Sequence, residues 1–334
     1  MSTERLQSLT DLIDTTDATI RAGSVAGARV WPTGFHALDK ALSGGLRSGE
    51  LVLLGGPQGL GKTTLALQLM RNVVAAGRTA VYFSFEHDTH TLLERLISLE
   101  AAEHAGLNGV PLHQVRERFE VRHGQSESLQ DRLAGSPGGP EAVAALRDLG
   151  GRLHVHRSSG VHTDLAQMRS VVEAIRDATG EAPLVLVDYL QKVAVGTDHA
   201  SEDEQVAHVA EGLKELALEL AVPVAAIVAA EKSALKPGMR MRARHLRGSS
   251  ALAYEADILL LMAEKFDVVA RHHLVYDLGN ADRFRRWVVV TVEKNRNGVD
   301  KVELEFHKRF EQGRFDPEGR EVTGQLVEER VFVD

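Results

Sequence analysis

The chain has 334 residues, 43% hydrophobic and 26% charged, the composition of a globular protein with enough length to bury one large core or two small ones. No apolar run approaches the ~18 residues of a membrane span, and the start "MSTERLQSL" lacks a basic-then-apolar signal, so a cytoplasmic location without a membrane partner is expected. The absence of cysteine excludes disulfides and Cys-based zinc modules. A formal charge of −8 opposes bulk attraction to nucleic acid but leaves room for a local basic groove.

Along the chain, residues 1–30 stand apart. Leu6, Ile13 and Ile20 recur at sevens with Leu9 beside them, which predicts one narrow apolar stripe on a polar helix. Such a stripe needs a partner, either its own domain or a neighbouring subunit. From Leu51 onward, "ELVLLGG", "TAVYFSF", "RLHVHR", "PLVLVDYL", "PVAAIVAA" and "ADILLLMA" read as parallel strands buried on both faces. They alternate with helical patterns such as "TDLAQMRSVVEAIRDATG" and "EDEQVAHVAEGLKELALEL", so the expected class is α/β with a central, mostly parallel sheet flanked by helices. A variable insertion is expected at about 105–150, with the Gly/Pro patch "AGSPGGP", Ala134 to Pro140, at its end. "RRWVVVTVEKNRNG" and "DKVELEFHKRF" predict a C-terminal antiparallel hairpin joined at Asn297-Gly298. His154 and His156 of "LHVHR" alternate as strand positions and are read as that, not as metal ligands.

The chemistry centres on Gly56-Pro57-Gln58-Gly59-Leu60-Gly61-Lys62-Thr63, followed by Thr64. It fits G-x-x-x-x-G-K-S/T between a strand and a helix. Glycines let backbone N–H groups reach phosphate oxygens, Lys62 reaches the terminal phosphates of ATP, and Thr63 ligates Mg²⁺. Asp188, ending the apolar strand "PLVLVD", is placed to hold Mg²⁺ through water. Glu86, at the end of "VYFSFE", is the candidate for orienting the attacking water, since ligands of open α/β sheets bind at the carboxyl ends of the strands.

With "TGFHALD", the phosphate loop, "SFE", "VDYLQ", "HLRGSSALAYEADILLL" and "EKNRNG" in view, the chain resembles the RecA-like P-loop ATPase domain of DnaB-type replicative helicases over roughly Pro32 to Phe306. This assigns residues 1–30 to a linker-like helix that docks on the adjacent subunit and 31–334 to the ATPase domain. The family's large N-terminal helical domain has no counterpart in the sequence, so a standalone motor domain is expected. The resemblance implies a homo-oligomeric ring, a hexamer with ATP at subunit interfaces. Arg296 would then be an arginine finger in the neighbour's site, with Lys294 a second cation on the γ-phosphate. By spacing alone, both residues form a solvated hairpin tip.

Two departures from the family bear on DNA. Val228-Ala229 stands where the family usually has a serine-glutamine pair. Asp198, Glu202, Asp203 and Glu204 occupy a stretch where it generally has arginines, and carboxylates repel a phosphate backbone. The remaining candidates for nucleic-acid contact are Lys236, Arg240, Arg242, Arg244 and Arg247, with Lys232, in an expected exposed loop. The leading expectation is a Mg²⁺-dependent ATPase acting on single-stranded DNA as helicase or translocase. A KaiC-like ring or filament that switches protein partners without DNA is the alternative, and a RadA-like recombination factor is disfavoured because its zinc module needs cysteines.

Overall fold

A computed structural model describes residues 7–23, 29–120, 126–196, 201–231, 239–275 and 279–328. A short antiparallel ribbon, β1 (Val30–Trp31) against β2 (Leu46–Arg47), precedes the main sheet. Six strands of that sheet are parallel: β3 (Leu51–Gly55), β4 (Ala80–Ser84), β5 (Leu153–Arg157), β6 (Leu184–Asp188), β7 (Val224–Val228) and β8 (Ile258–Glu264). Their spatial order is β8-β3-β7-β6-β4-β5. Antiparallel β9 (Trp287–Asn295), β10 (Val302–Arg309) and β11 (Arg314–Phe315) extend the β8 side, and β12 (Arg320–Glu321) pairs with β10. All six segments read as parallel strands are parallel. Five have almost wholly buried residues because helices cover both sheet faces. The exception is "RLHVHR": β5 is the edge strand and only half-buried.

The flanking helices are α2 (His36–Ala41), α3 (Lys62–Ala75), α4 (Thr89–Ala105), α5 (Leu112–Phe119), α6 (Leu129–Arg132), α7 (Gly139–Leu149), α8 (Leu165–Thr179), α9 (Glu202–Leu220) and α10 (Ser249–Glu255). Short α11 (Lys265–Val268), α12 (His272–Val275) and α13 (Gly279–Arg285) lie between β8 and β9. Helices α4 to α7 form the excursion between β4 and β5, with a small core of their own around Ile97, Ala101, Val115, Leu133 and Val143. "AGSPGGP" lies inside this excursion, as the turn into α7, and does not end it. Gly138 has φ +72°, and a Cβ there would stand 2.4 Å from the Ala101 carbonyl oxygen, so the turn lets α7 pack on α4.

At the N-terminus, Ser8 caps α1 (Leu9–Arg21), and this helix buries none of its residues. Leu9, Ile13 and Ile20 are exposed, the first at 72%; Leu6 lies outside the described residues. In "TGFHALD", Asp39 accepts from the Thr33 backbone N–H and hydroxyl, each at 2.7 Å, and from Gly34 N–H. That locks the entry to α2 beside the sheet. The hairpin connection runs over residues 296–301 and is longer than a two-residue turn at Asn297-Gly298. The loop is held down by Asn297, which donates to Glu50 at 2.7 Å, and by Arg296 N–H, which donates to Asp257 O. Among the described residues, no helix is long and apolar enough to cross a membrane.

Candidate nucleotide site

The phosphate loop leaves β3 at Gly55 and enters α3 at Lys62. Gly61 adopts φ +87°, a left-handed conformation suited to glycine. A Cβ there would also meet the Phe310 ring at 2.7 Å, and one on Gly56 would meet Met262 at 2.9 Å. Glycine is therefore required at Gly61 by backbone and neighbours together. Leu60 and Thr64 are buried and anchor the loop, while Gln58 and Gly59 are exposed and line a cleft of about 640 Å³.

Asp188, 2% exposed, ends β6 beneath the loop. Its Oδ2 accepts from the Thr63 hydroxyl at 2.8 Å and from the Tyr82 hydroxyl at 2.7 Å. Burial, reinforced by this carboxylate, pushes the Tyr82 phenol far above its ordinary range. Tyr82 therefore remains a donor that fixes the Asp188 rotamer. Lys62 Nζ turns back onto its own loop, donating to Gly56 O at 2.7 Å and Pro57 O at 2.9 Å. Burial lowers its pKa, and the nearby Asp188 and Glu86 carboxylates oppose that shift. Glu86 follows β4, is exposed and lines the same cleft. The sheet thus brings together Lys62, Thr63, Asp188 and Glu86, as expected.

The donor set fits a magnesium nucleotide. Thr63 and Asp188 offer the hard oxygen ligands that Mg²⁺ takes. Lys62 occupies its own loop carbonyls, contacts it can exchange for phosphate oxygens. Arg95, from α4, lines the cleft with a buried Nε that lacks a hydrogen-bond partner. Burial and the adjacent Arg116 lower the Arg95 pKa, a cost that an anion in the cleft would relieve. The sequence reading missed Tyr82, Arg95, Arg116 and Phe310. Tyr82 sits inside an apolar strand pattern, and the others come from the helical excursion and the C-terminal segment. Phe310 reaches the cleft because Gln68 of α3 exchanges two hydrogen bonds with the Phe315 backbone, at 2.9 and 2.8 Å.

Lys294 and Arg296 lie elsewhere. Asn295 pairs with Ile258 at the start of β8, where Val52 of β3 also lies, so both cations sit at the amino ends of the parallel strands. Gly56 is one strand length away, roughly 15 Å. Lys294 Nζ donates to the carbonyls of Ala253 and Ala256, and Arg296 to that of Tyr254. They cap the C-terminal end of α10, where cations are favoured. Arg296 also faces Asp257 at 3.4 Å; Asp257 in turn accepts from Lys214 and from Leu51 N–H.

Among the described residues of the basic segment, Arg240 and Arg242 are not exposed as expected, whereas Arg244 and Arg247 are. Arg240 is 6% exposed and paired with Glu303. Arg242 lies between Glu293, at 2.8 Å, and Glu328, and these carboxylates push its pKa upward. Arg247 pairs with Glu202, one of the carboxylates expected to repel DNA. Strands β9 and β10 bring acidic side chains against the segment, a tertiary contact that local composition cannot reveal. Arg244 is exposed; Lys232, Lys236 and Asp198 lie outside the described residues. Glu202, Asp203 and Glu204 form the first turn of α9, with Ser201 and Glu204 in a capping box. Carboxylates there complement the helix dipole. Beside Val228-Ala229, Gln191 of "VDYLQ" accepts from Ala229 N–H at 3.1 Å and donates to Arg247 O at 3.3 Å. A polar link between the ends of β6 and β7 therefore runs from the Gln191 side chain to backbone atoms.

Residues 31–315 match the family described as DnaB-like helicase C terminal domain. The replicative DNA helicase DnaB of Treponema pallidum is 26% identical over 280 residues, covering 83% of this chain and 54% of that protein. The protein of the same description from Haemophilus influenzae is 25% identical over 307 residues, covering 90% and 56%. The chain thus spans about half the length of these curated relatives. One solved ATPase domain superposes with a TM-score of 0.71 at 20% identity, covering 93% of this chain and 98% of that one. A DnaB-like replicative helicase, described with its interactions with primase, superposes at 0.71 and 19% identity, covering 92% and 68%. At such identities the superpositions establish the RecA-like fold, and the family match over residues 31–315 establishes membership: the chain belongs to the DnaB-like helicase C-terminal domain family.

Proposed function

We propose that the chain is a Mg²⁺-dependent ATPase that forms a homo-oligomeric ring, a hexamer with ATP between subunits, and acts on single-stranded DNA as a helicase or translocase. The observation that carries this reading is Asp188 Oδ2, held by both Thr63 and Tyr82 beneath the phosphate loop. Mg²⁺ bound at Thr63 and, through water, at Asp188 would neutralise charge on the phosphates. Backbone N–H groups of Gln58 to Thr64 cradle the phosphates, Lys62 leaves its loop carbonyls for the terminal phosphate, and Glu86 orients the attacking water. Lys294 and Arg296 are too far to serve their own cleft, which supports their delivery to a neighbour's. The exposed stripe of α1, in the linker-like 1–30 segment, would dock on that neighbour.

A second reading has its own support. Arginines neutralised by Glu202, Glu293, Glu303 and Glu328 favour a KaiC-like ring or filament whose hydrolysis switches protein partners without DNA. ATP turnover with and without single-stranded DNA across a salt series separates the two. Strong stimulation at low salt, fading as salt rises, supports the motor. Indifference to DNA at all salts overturns it in favour of the switch.

A further inference from the structure

A second cavity, of about 340 Å³, opens between α11, α13, β9 and the segment after β12, and shares no lining residue with the nucleotide cleft. Three cations line it: Lys265, Arg283 and Arg320. Among the described residues they have one carboxylate between them, that of Glu305, which is 0% exposed; it accepts from Lys265 and, at 2.7 Å, from Arg320. No carboxylate among the described residues pairs with Arg283. A buried ion pair needs only one cation per carboxylate, so the cavity wall carries more positive charge than its internal pairing uses, in a chain whose net charge is −8.

Each cation is also braced against a ring. Lys265 lies 4.7 Å and Arg283 5.2 Å from the centre of Phe284, and Arg320 lies 4.8 Å from that of Trp287. Phe284 is 6% exposed and so holds its place. Cation–π contacts cost little of the outward positive field and remove side-chain freedom in advance, which lowers the entropy lost when an anion arrives. Guanidinium forks suit the paired oxygens of a phosphate. The volume is in the range of small-ligand pockets.

We propose that this cavity is a second oxyanion site, one that takes a phosphoryl group from either a nucleic-acid strand or a free polyphosphate. Arg283 and Arg320 hold the phosphate oxygens, and Lys265 with Glu305 fixes the floor. The site stands apart from the ATPase reading, since no residue of the nucleotide cleft takes part.

The test uses the full chain carrying Lys62→Ala, so that the phosphate loop contributes little. Inorganic pyrophosphate is titrated by calorimetry and a short single-stranded oligonucleotide by fluorescence anisotropy, each with and without Arg283→Gln. Arg283 is exposed and pairs with no carboxylate among the described residues, so this variant should melt like its parent; Arg320→Gln, which leaves Glu305 with one partner, is the second variant. A tenfold or greater loss of pyrophosphate affinity with unchanged DNA binding assigns the site to a free polyphosphate. A weaker DNA complex whose log affinity against log salt flattens by about 0.7 per lost contact assigns it to a strand. If Arg283→Gln and Arg320→Gln both leave pyrophosphate and DNA affinity within twofold of the parent, the proposal is overturned.

Discussion

The phosphate loop and the segment from Met239 to Arg247 were both expected to meet phosphates, one through glycines and a lysine, the other through arginines. They are built in opposite ways. In the loop, Lys62 rests on carbonyls of its own motif, contacts a nucleotide can replace at little cost. In the basic segment, Arg240 and Arg242 are held by Glu293, Glu303 and Glu328, so a phosphate would have to compete with carboxylates already in place. A positive side chain in a sequence is only a potential charge, and its tertiary partners decide whether any of it remains for a ligand.

The largest effect that would sharpen this contrast lies in the loop. Glu86→Gln should keep nucleotide binding and lower turnover by about 10²–10⁴-fold, the range for losing a positioned base. Lys62→Ala should weaken binding itself, as read by a fluorescent nucleotide. Wild-type turnover by Glu86→Gln would remove Glu86 from the chemistry.

In the basic segment, Arg242→Ala should act on stability first. It removes the main partner of Glu293 and Glu328, and for a partly buried network a loss of about 1–2 kcal/mol is expected, seen as a lower melting temperature. Its effect on the salt dependence of DNA binding should be nil. Arg244→Ala should do the reverse: Arg244 is exposed, so melting should hold while any DNA salt slope flattens by about 0.7. Exchanged outcomes would break the comparison.

The smallest effect concerns the helix that follows Glu86. Asp88 caps α4 through His90 and Thr91 N–H, and these bonds, with the Thr91 hydroxyl, lower its pKa from 3.8 to about 2. A depressed carboxyl pKa stabilises the fold above its unfolded value and loses that contribution as pH falls through the folded one. Asp88→Ala should therefore lower the melting temperature slightly above pH 4, with the difference closing toward pH 2. A constant difference across that interval would contradict the assignment.

What was legible from sequence follows the same division. The six parallel strands, the phosphate loop and the placement of Asp188 and Glu86 at the strand ends were readable because strand burial and loop geometry are written in consecutive residues. The hairpin was readable in its strands, but not in its loop, whose length is set by Glu50 and Asp257 far away in sequence. Tyr82 was hidden within an apolar run, and Arg95 within an amphipathic helix. The fate of Arg240, Arg242 and Arg247 depended on pairing with residues more than forty positions away. The resemblance to a known family singled out Lys294 and Arg296, which spacing alone left as a solvated hairpin tip.

The central claim is that one subunit's cleft is completed by Lys294 and Arg296 of another. Mixing Arg296→Ala with Lys62→Ala subunits tests it directly, with subunit exchange verified by mass photometry of differently tagged chains. Each variant alone should be nearly inactive, and the mixture should recover ATP turnover, because some interfaces join an intact phosphate loop to an intact Arg296. Full exchange with no recovered turnover would contradict the account.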